Sequence, residues 1–201
     1  MNIKINWKLM ILVVFIFSLV IFGYKEYQKN IKYEKYLSQE LFNSYSELKV
    51  IIFTIKEVLT SLLTSQADSN TKTVLADHLQ RTSMLTQELD YYISIFKTKD
   101  DEELKNKSSL VTSNFAYFFQ QNDANTPLDE DIDKMNSLNE MIETWMDVII
   151  NEYPGITNEN KYEILYEENK GGDIFIRNHK WKSIITSLDR VSRNYEGVSQ
   201  N

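Results

Sequence analysis

The stretch from Leu9 to Tyr24, LMILVVFIFSLVIFGY, limits what this chain can become more than any other segment, because its composition suits a single physical environment. It carries no charge, and Ser18 is its one clearly polar side chain before Gly23 and Tyr24. With Trp7 and Lys8 it spans about eighteen residues, roughly 27 Å of helix at 1.5 Å per residue, which just crosses a hydrocarbon core of about 30 Å. A cleaved signal peptide is disfavoured, since the residues after the apolar run, Ile21-Phe22-Gly23-Tyr24-Lys25-Glu26, offer no pair of small residues for a peptidase. A core helix of a soluble domain is disfavoured as well, because such helices are seldom apolar around their whole circumference for four turns. Trp7, Tyr24 and Tyr27 stand where amphipathic rings settle at the headgroup level. The reading is an uncleaved transmembrane anchor over residues 9–24, preceded by a short tail at residues 1–8, with lipid as its first partner.

Two rules disagree about which side the rest of the chain occupies. Lys4 and Lys8 precede the span, while Lys25, Lys29, Lys32 and Lys35 come after it, so the positive-inside count places the domain beyond the span in the cytoplasm. That count weakens for long translocated domains, and a short lysine-flanked span close to the N-terminus has the form of a signal anchor that exports the domain C-terminal to it. The expectation adopted is a single-pass protein of the cell membrane with its domain outside the cytoplasm.

Charge then narrows the partners. The formal net charge is −7, with 22 Lys and Arg against 29 Asp and Glu; the first 35 residues hold six Lys and two Glu, which leaves 16 basic and 27 acidic residues in the body. So acidic a body is a poor polyanion binder, and nucleic acid is not an expected partner. The basic helix at residues 25–36 either touches anionic headgroups, each Lys near the surface contributing about 1 kcal/mol, or is simply solvated there. Absence of cysteine excludes disulfides and thiolate-bound zinc without identifying the compartment. Five Gly and two Pro in 201 residues leave few breaks, and strand-like alternation is missing almost throughout. These features imply an all-α fold: one transmembrane helix, then an antiparallel bundle of four to five helices over residues 37–195 and a polar tail at 196–201.

The helices can be placed in turn. Leu37, Leu41, Ser44, Leu48, Ile51, Ile55, Val58 and Leu62 recur at spacings of four and three, a seam of coiled-coil type widened by Tyr45, Ile52 and Leu59. A stripe that wide is expected to meet more than one neighbour. A polar break at residues 66–71 leads to a second helix from about Lys72 to Lys97 with Leu75, His78, Thr82, Leu85, Leu89, Tyr92 and Phe96 on one face. Residues 99–103 (KDDEE) read as the acidic first turn of a third helix carrying Leu104, Val111, Phe115 and Phe118 to about Gln121. After a loop at 122–127, a fourth helix from Leu128 presents Ile132, Met135, Ile142, Trp145 and Ile149 and stops before Tyr153-Pro154-Gly155. Residues 157–169 suggest a short helix with Tyr162, Leu165 and Tyr166 inward, closed by Gly171-Gly172. Asp173 is expected to cap a last helix with Ile174, Trp181, Ile184, Leu188, Val191 and Tyr195 on one face.

No reaction chemistry emerges from the residues. A di-iron bundle needs Glu three positions before His, yet Leu75 precedes His78 and Ile176 precedes His179. His78 reads as a core or boundary histidine and His179, beside Lys180, as exposed. Asp129, Asp131, Asp133 and Glu140 match four positions of a calcium loop, but Lys134 stands where the turn requires Gly, so an acidic helix N-terminus is the better reading. No G-x-S-x-G and no phosphate-binding glycine loop occurs. The aromatic residues at helical spacing read as core, with an interhelical ligand pocket as the competing use. No catalytic, cofactor-binding or metal residue is assigned, and no cofactor is expected. The functional expectation is a non-enzymatic, membrane-anchored binding, accessory or sensor-like domain acting on a protein or small ligand. A homo-oligomeric scaffold built on the Leu37 to Leu62 seam is the alternative, and an enzyme with dispersed carboxylates comes after both.

Overall fold

A computed structural model describes residues 7–64, 70–96, 104–121, 128–153, 155–156, 160, 175–177 and 179–200. The fold is all-α, and no strand occurs among the described residues. Helix α1 runs unbroken from Trp7 to Leu63, 57 residues or about 85 Å. It is followed by α2 (Thr71–Ile95), α3 (Lys107–Gln121), α4 (Leu128–Glu152), α5 (His179–Ser192), a 3-10 turn at Arg193–Tyr195 and the short α6 (Glu196–Gln200).

The two halves of α1 have different surroundings. Down to Tyr36 nearly every described residue is exposed, whereas Leu41, Tyr45, Leu48, Ile52, Ile55 and Leu59 are fully buried. Phe42, Ile51 and Phe53 are buried too, so three sides of this helix are enclosed. It serves as the axis of the bundle. Helix α2 packs antiparallel along one side of it, with Arg81 bidentate to Glu47 (2.6 Å for both bonds) and Ser44 donating to Glu88 (3.0 Å). Helix α4 packs antiparallel along another, where Lys56 donates to Asn139 (2.7 Å) and pairs with Glu143 and the Tyr45 and Tyr153 hydroxyls meet at 2.9 Å. The wide seam thus meets two neighbours in its own chain, as its width required.

Most expected faces are the buried ones. Leu75, Thr82, Leu85 and Leu89 of α2, Val111 and Phe115 of α3, Met135, Ile142, Trp145 and Ile149 of α4, and Trp181, Ile184 and Leu188 of α5 all lie in the core. Helix α4 ends where Pro and Gly demanded, with Gly155 at φ 102°, a conformation glycine adopts at little cost.

Three boundaries differ from expectation. The third helix begins at Lys107, with no acidic residue in its first turn; Asn106 just before it takes a left-handed φ of 53°, and residues 99–103 lie outside the described ones. The carboxylate at that N-terminus comes instead from Asp189 of α5, which accepts the Lys107 amide. The helix expected to open at Asp173 is described from His179, with a 3-10 turn at 175–177 before it, and Asp173 and Ile174 lie outside the described residues. Residues 196–200, expected as polar tail, form α6: Ser199 is buried, receives a bond from Asn114 (3.2 Å) and donates to the Glu196 carbonyl (2.9 Å), and Lys107 pairs with Glu196 at 2.5 Å. Short polar side chains that find partners on α3 are retained there without any apolar face. The expected short helix at 157–169 and Gly171-Gly172 fall outside the described residues.

Candidate functional site

The first candidate is the exposed half of α1. Its described large apolar side chains from Trp7 to Tyr24 stand between 47% exposed at Val13 and 69% at Trp7, and no part of the most apolar window is buried by the rest of the chain. Ser18 satisfies its hydroxyl internally by donating to the Val14 carbonyl at 2.9 Å, so no unmet side-chain donor interrupts residues 10–23. It is one helix long and apolar enough to cross a membrane. Tyr24, Tyr27, Tyr33 and Tyr36 continue down the same helix with their rings exposed, interleaved with Lys25, Lys29, Lys32 and Lys35. On the same segment Arg177 binds Glu34 bidentately (2.7 and 3.0 Å) and the Ile176 amide donates to Ser38 (3.3 Å).

Within the bundle the notable groups are polar side chains that periodicity hid. Lys49 of α1 is 1% exposed, with its Nζ 4.4 Å from the Tyr45 ring centre and 4.5 Å from that of Tyr153; Phe175 packs on Tyr45 at 5.5 Å and Lys180 stands 5.3 Å from the Tyr153 ring. Two tyrosine faces supply negative quadrupole to the ammonium, and the hydroxyl bond between them fixes their spacing. A lysine inside a helical seam leaves no mark in an apolar pattern, because such a pattern records apolar positions alone.

A second polar cluster joins α2, α3 and α5. Asp189 of α5 is fully buried and accepts the Lys107 backbone amide at 2.6 Å, the Lys105 amide at 3.4 Å and an Arg193 Nη2 bond at 3.1 Å. It is therefore the N-cap of α3 delivered from another helix, where its charge suits the exposed amides of the first turn. Nearby Ser192 donates to Ser108, and Ser83 of α2 bonds with Ser109. Asp90 of α2, 6% exposed, receives no hydrogen bond at either oxygen from the described residues. Burial first, then the negative charge of Asp189, pushes its carboxyl up to about 7.

No family model, curated protein or solved structure matches the chain. Among the described residues no group of three or more His, Asp or Glu is positioned to hold a metal ion. His78 is half-buried at the edge of α2, and His179 opens α5. Asp133 and Glu140, two of the four calcium-loop matches, lie on a continuous helix that starts at Leu128, whose backbone cannot wrap an ion as a loop does. Glu143, hydrogen-bonded to Lys56, is held below the usual carboxylate range.

Proposed function

We propose that this protein is a single-pass membrane protein whose helical bundle is carried outside the cytoplasm on the continuation of its own transmembrane helix, and that it acts there as a non-enzymatic binding or accessory module. The observation that carries the reading is the division of α1: one half is the axis of the bundle, while the apolar half is left uncovered by it. Thirteen large apolar side chains between Trp7 and Phe22 stand exposed. Moving them into hydrocarbon is worth on the order of 20 kcal/mol or more, which exceeds the roughly 5 to 15 kcal/mol that holds a typical domain together. An aqueous home for that stretch is the costly alternative.

Because no break separates the halves, a tilt or rotation of the span is transmitted to the bundle axis through backbone hydrogen bonds. A partner that grips the bundle is in that way coupled to the membrane without a flexible linker. A binding role fits a bundle whose described carboxylates are mostly dispersed and solvated better than a catalytic one does. The alternative of a homo-oligomer assembled on the Leu37 to Leu62 seam loses its surface, since Leu41, Leu48, Ile51, Ile55 and Leu62 are already buried within one chain.

The missing cysteines make the topology directly testable. One cysteine placed at Asp123, between α3 and α4, is expected to react with a membrane-impermeant maleimide in intact cells; reaction only after lysis reverses the orientation. Full-length protein is expected in the membrane fraction and protein lacking residues 1–35 in the soluble one. Identical soluble fractionation of the two refutes the anchor.

A further inference from the structure

We propose that Asp90 and Asp189 form a proton-operated latch: a proton on Asp90 keeps the end of α5, and α6 beyond it, seated on α2 and α3, and loss of that proton loosens the joint. The geometry supplies both parts of the device. Asp189 is fully buried but well provided for, with the Lys107 and Lys105 amides and Arg193 on its oxygens. Asp90 is 6% exposed and has no donor among the described residues. Lys182 of α5 reaches the Phe96 carbonyl at the end of α2, so the antiparallel helices bring Asp189 and Asp90, seven residues further along one and six back along the other, to about the same level. Two buried carboxylates there cannot both stay charged cheaply, and the one lacking donors takes up the proton.

Several charged groups on the elements around α2 have partners of their own. On α5 Lys182 donates to the Phe96 carbonyl at 2.7 Å, and Arg193 in the 3-10 turn after it binds Asp189. On α3 Lys107 pairs with Glu196. On α1 Glu47 holds Arg81, Glu40 adds its negative charge to the surroundings of Tyr92, and Lys49 lies over the rings of Tyr45 and Tyr153. Among the surrounding charges, that of Asp189 pushes the Asp90 carboxyl up.

The second role of Asp189 determines what the proton controls. The same carboxylate caps α3 and holds Arg193 at the start of the 3-10 turn, and that turn leads into α6, which is fastened to α3 by Lys107–Glu196 and Asn114–Ser199. Repulsion that displaces Asp189 therefore releases the first turn of α3 and the C-terminal helices together. The direction of the pH effect is set by the raised pKa: the folded chain keeps a proton that the unfolded chain gives up near pH 4. The stabilisation is full below about pH 4 and is lost as pH rises toward about 7, by about tenfold in the folding constant per unit in that window.

Hydrogen exchange of the full chain in nanodiscs, read by mass spectrometry and corrected for intrinsic rates, tests this at about pH 5.5 and about pH 8. Protection of residues 104–112 and 189–200 is expected to fall at the higher pH, up to a limit of about 30-fold set by the proton equilibrium, and to be independent of pH in Asp90→Asn. Parent and variant with the same pH dependence overturn the latch, as does a loss confined to other segments. Should Asp90→Asn not fold, carbon-13 NMR of the aspartate carboxyls in the parent decides: a midpoint near 7 for Asp90 supports the latch, and one at or below about 4 overturns it.

Discussion

Replacing Asp189 by Ala should reveal how much of this bundle hangs on a capping residue lent by a distant helix. At about pH 5.5, where Asp90 carries its proton, the repulsion between the two carboxyls is absent and the cap is measured alone. The short bond from the Lys107 amide to a buried, ionised oxygen (2.6 Å) is of the class worth about 1.5 to 3 kcal/mol. The Lys105 contact at 3.4 Å lies at the margin of hydrogen bonding and adds little. Arg193, four residues on in the 3-10 turn and with its side chain 32% exposed, contributes about 0.5 kcal/mol or somewhat more. The loss is thus about 3 kcal/mol, a large share of a stability of about 5 to 15 kcal/mol. For a chain of this size it lowers the melting temperature by about 6 to 12 °C. Circular dichroism at about 222 nm on the full chain in mild detergent reads the shift, and amide exchange at Lys107 shows whether the first turn of α3 is the part released. Asp189→Asn keeps an acceptor oxygen and loses only the charge, so about half the effect is expected. A melting temperature within about 2 °C of the parent, or Asn as damaging as Ala, refutes the capping argument.

Other substitutions probe other parts of the bundle. Ile55→Asp puts a carboxylate at a fully buried position of the axis helix and is expected to abolish folding, read as loss of the cooperative helical transition; a folded variant of unchanged melting means that this face is not buried. Ser44→Leu, at the contact where Ser44 donates to Glu88, should cost about 1 to 3 kcal/mol through overpacking between α1 and α2, and an unchanged melting temperature shows that the helices are farther apart there. Trp145→Ala removes the bulkiest side chain of α4 from the core and should cost about 3 to 5 kcal/mol, measurable by urea unfolding; a loss under about 1 kcal/mol contradicts its burial. The Lys56–Glu143 pair, whose glutamate side chain is 53% exposed, lowers the Glu143 pKa, so its contribution is present above the ordinary glutamate range and fades as pH falls through the folded value. Solvent and salt hold that contribution below about 1 kcal/mol, so Glu143→Gln should be nearly silent at physiological salt, and a drop of several degrees shows the pair to be far stronger than its exposure allows.

The legible parts of the fold are those decided within a few residues of chain. A charge-free run long enough for a bilayer is visible letter by letter. The spacing of Leu41, Leu48, Ile55 and Leu62 specifies a helix face whatever packs on it, and a break at Pro154-Gly155 comes from a missing N–H and a freely rotating backbone. Those features required helices and their inward faces, and they make residues 9–24 long and apolar enough to cross a membrane.

Tertiary structure alone decided which polar groups are enclosed and what each one meets. Lys49 and Asp90 look like ordinary solvated positions on helices, yet each lies in the interior because neighbours from several segments close over it. The acidic run at 99–103 pointed to a helix start by the local rule, but Asn106 turns the backbone left-handed and the charge that caps Lys107 arrives from a residue 82 positions away. Residues 196–200 hold too few apolar side chains to announce a packed helix, and only the partners waiting on α3 make one of them. Helical propensity and periodicity are properties of adjacent residues, whereas desolvation and electrostatic field are sums over everything that folding brings near, and that sum does not exist until the helices have met.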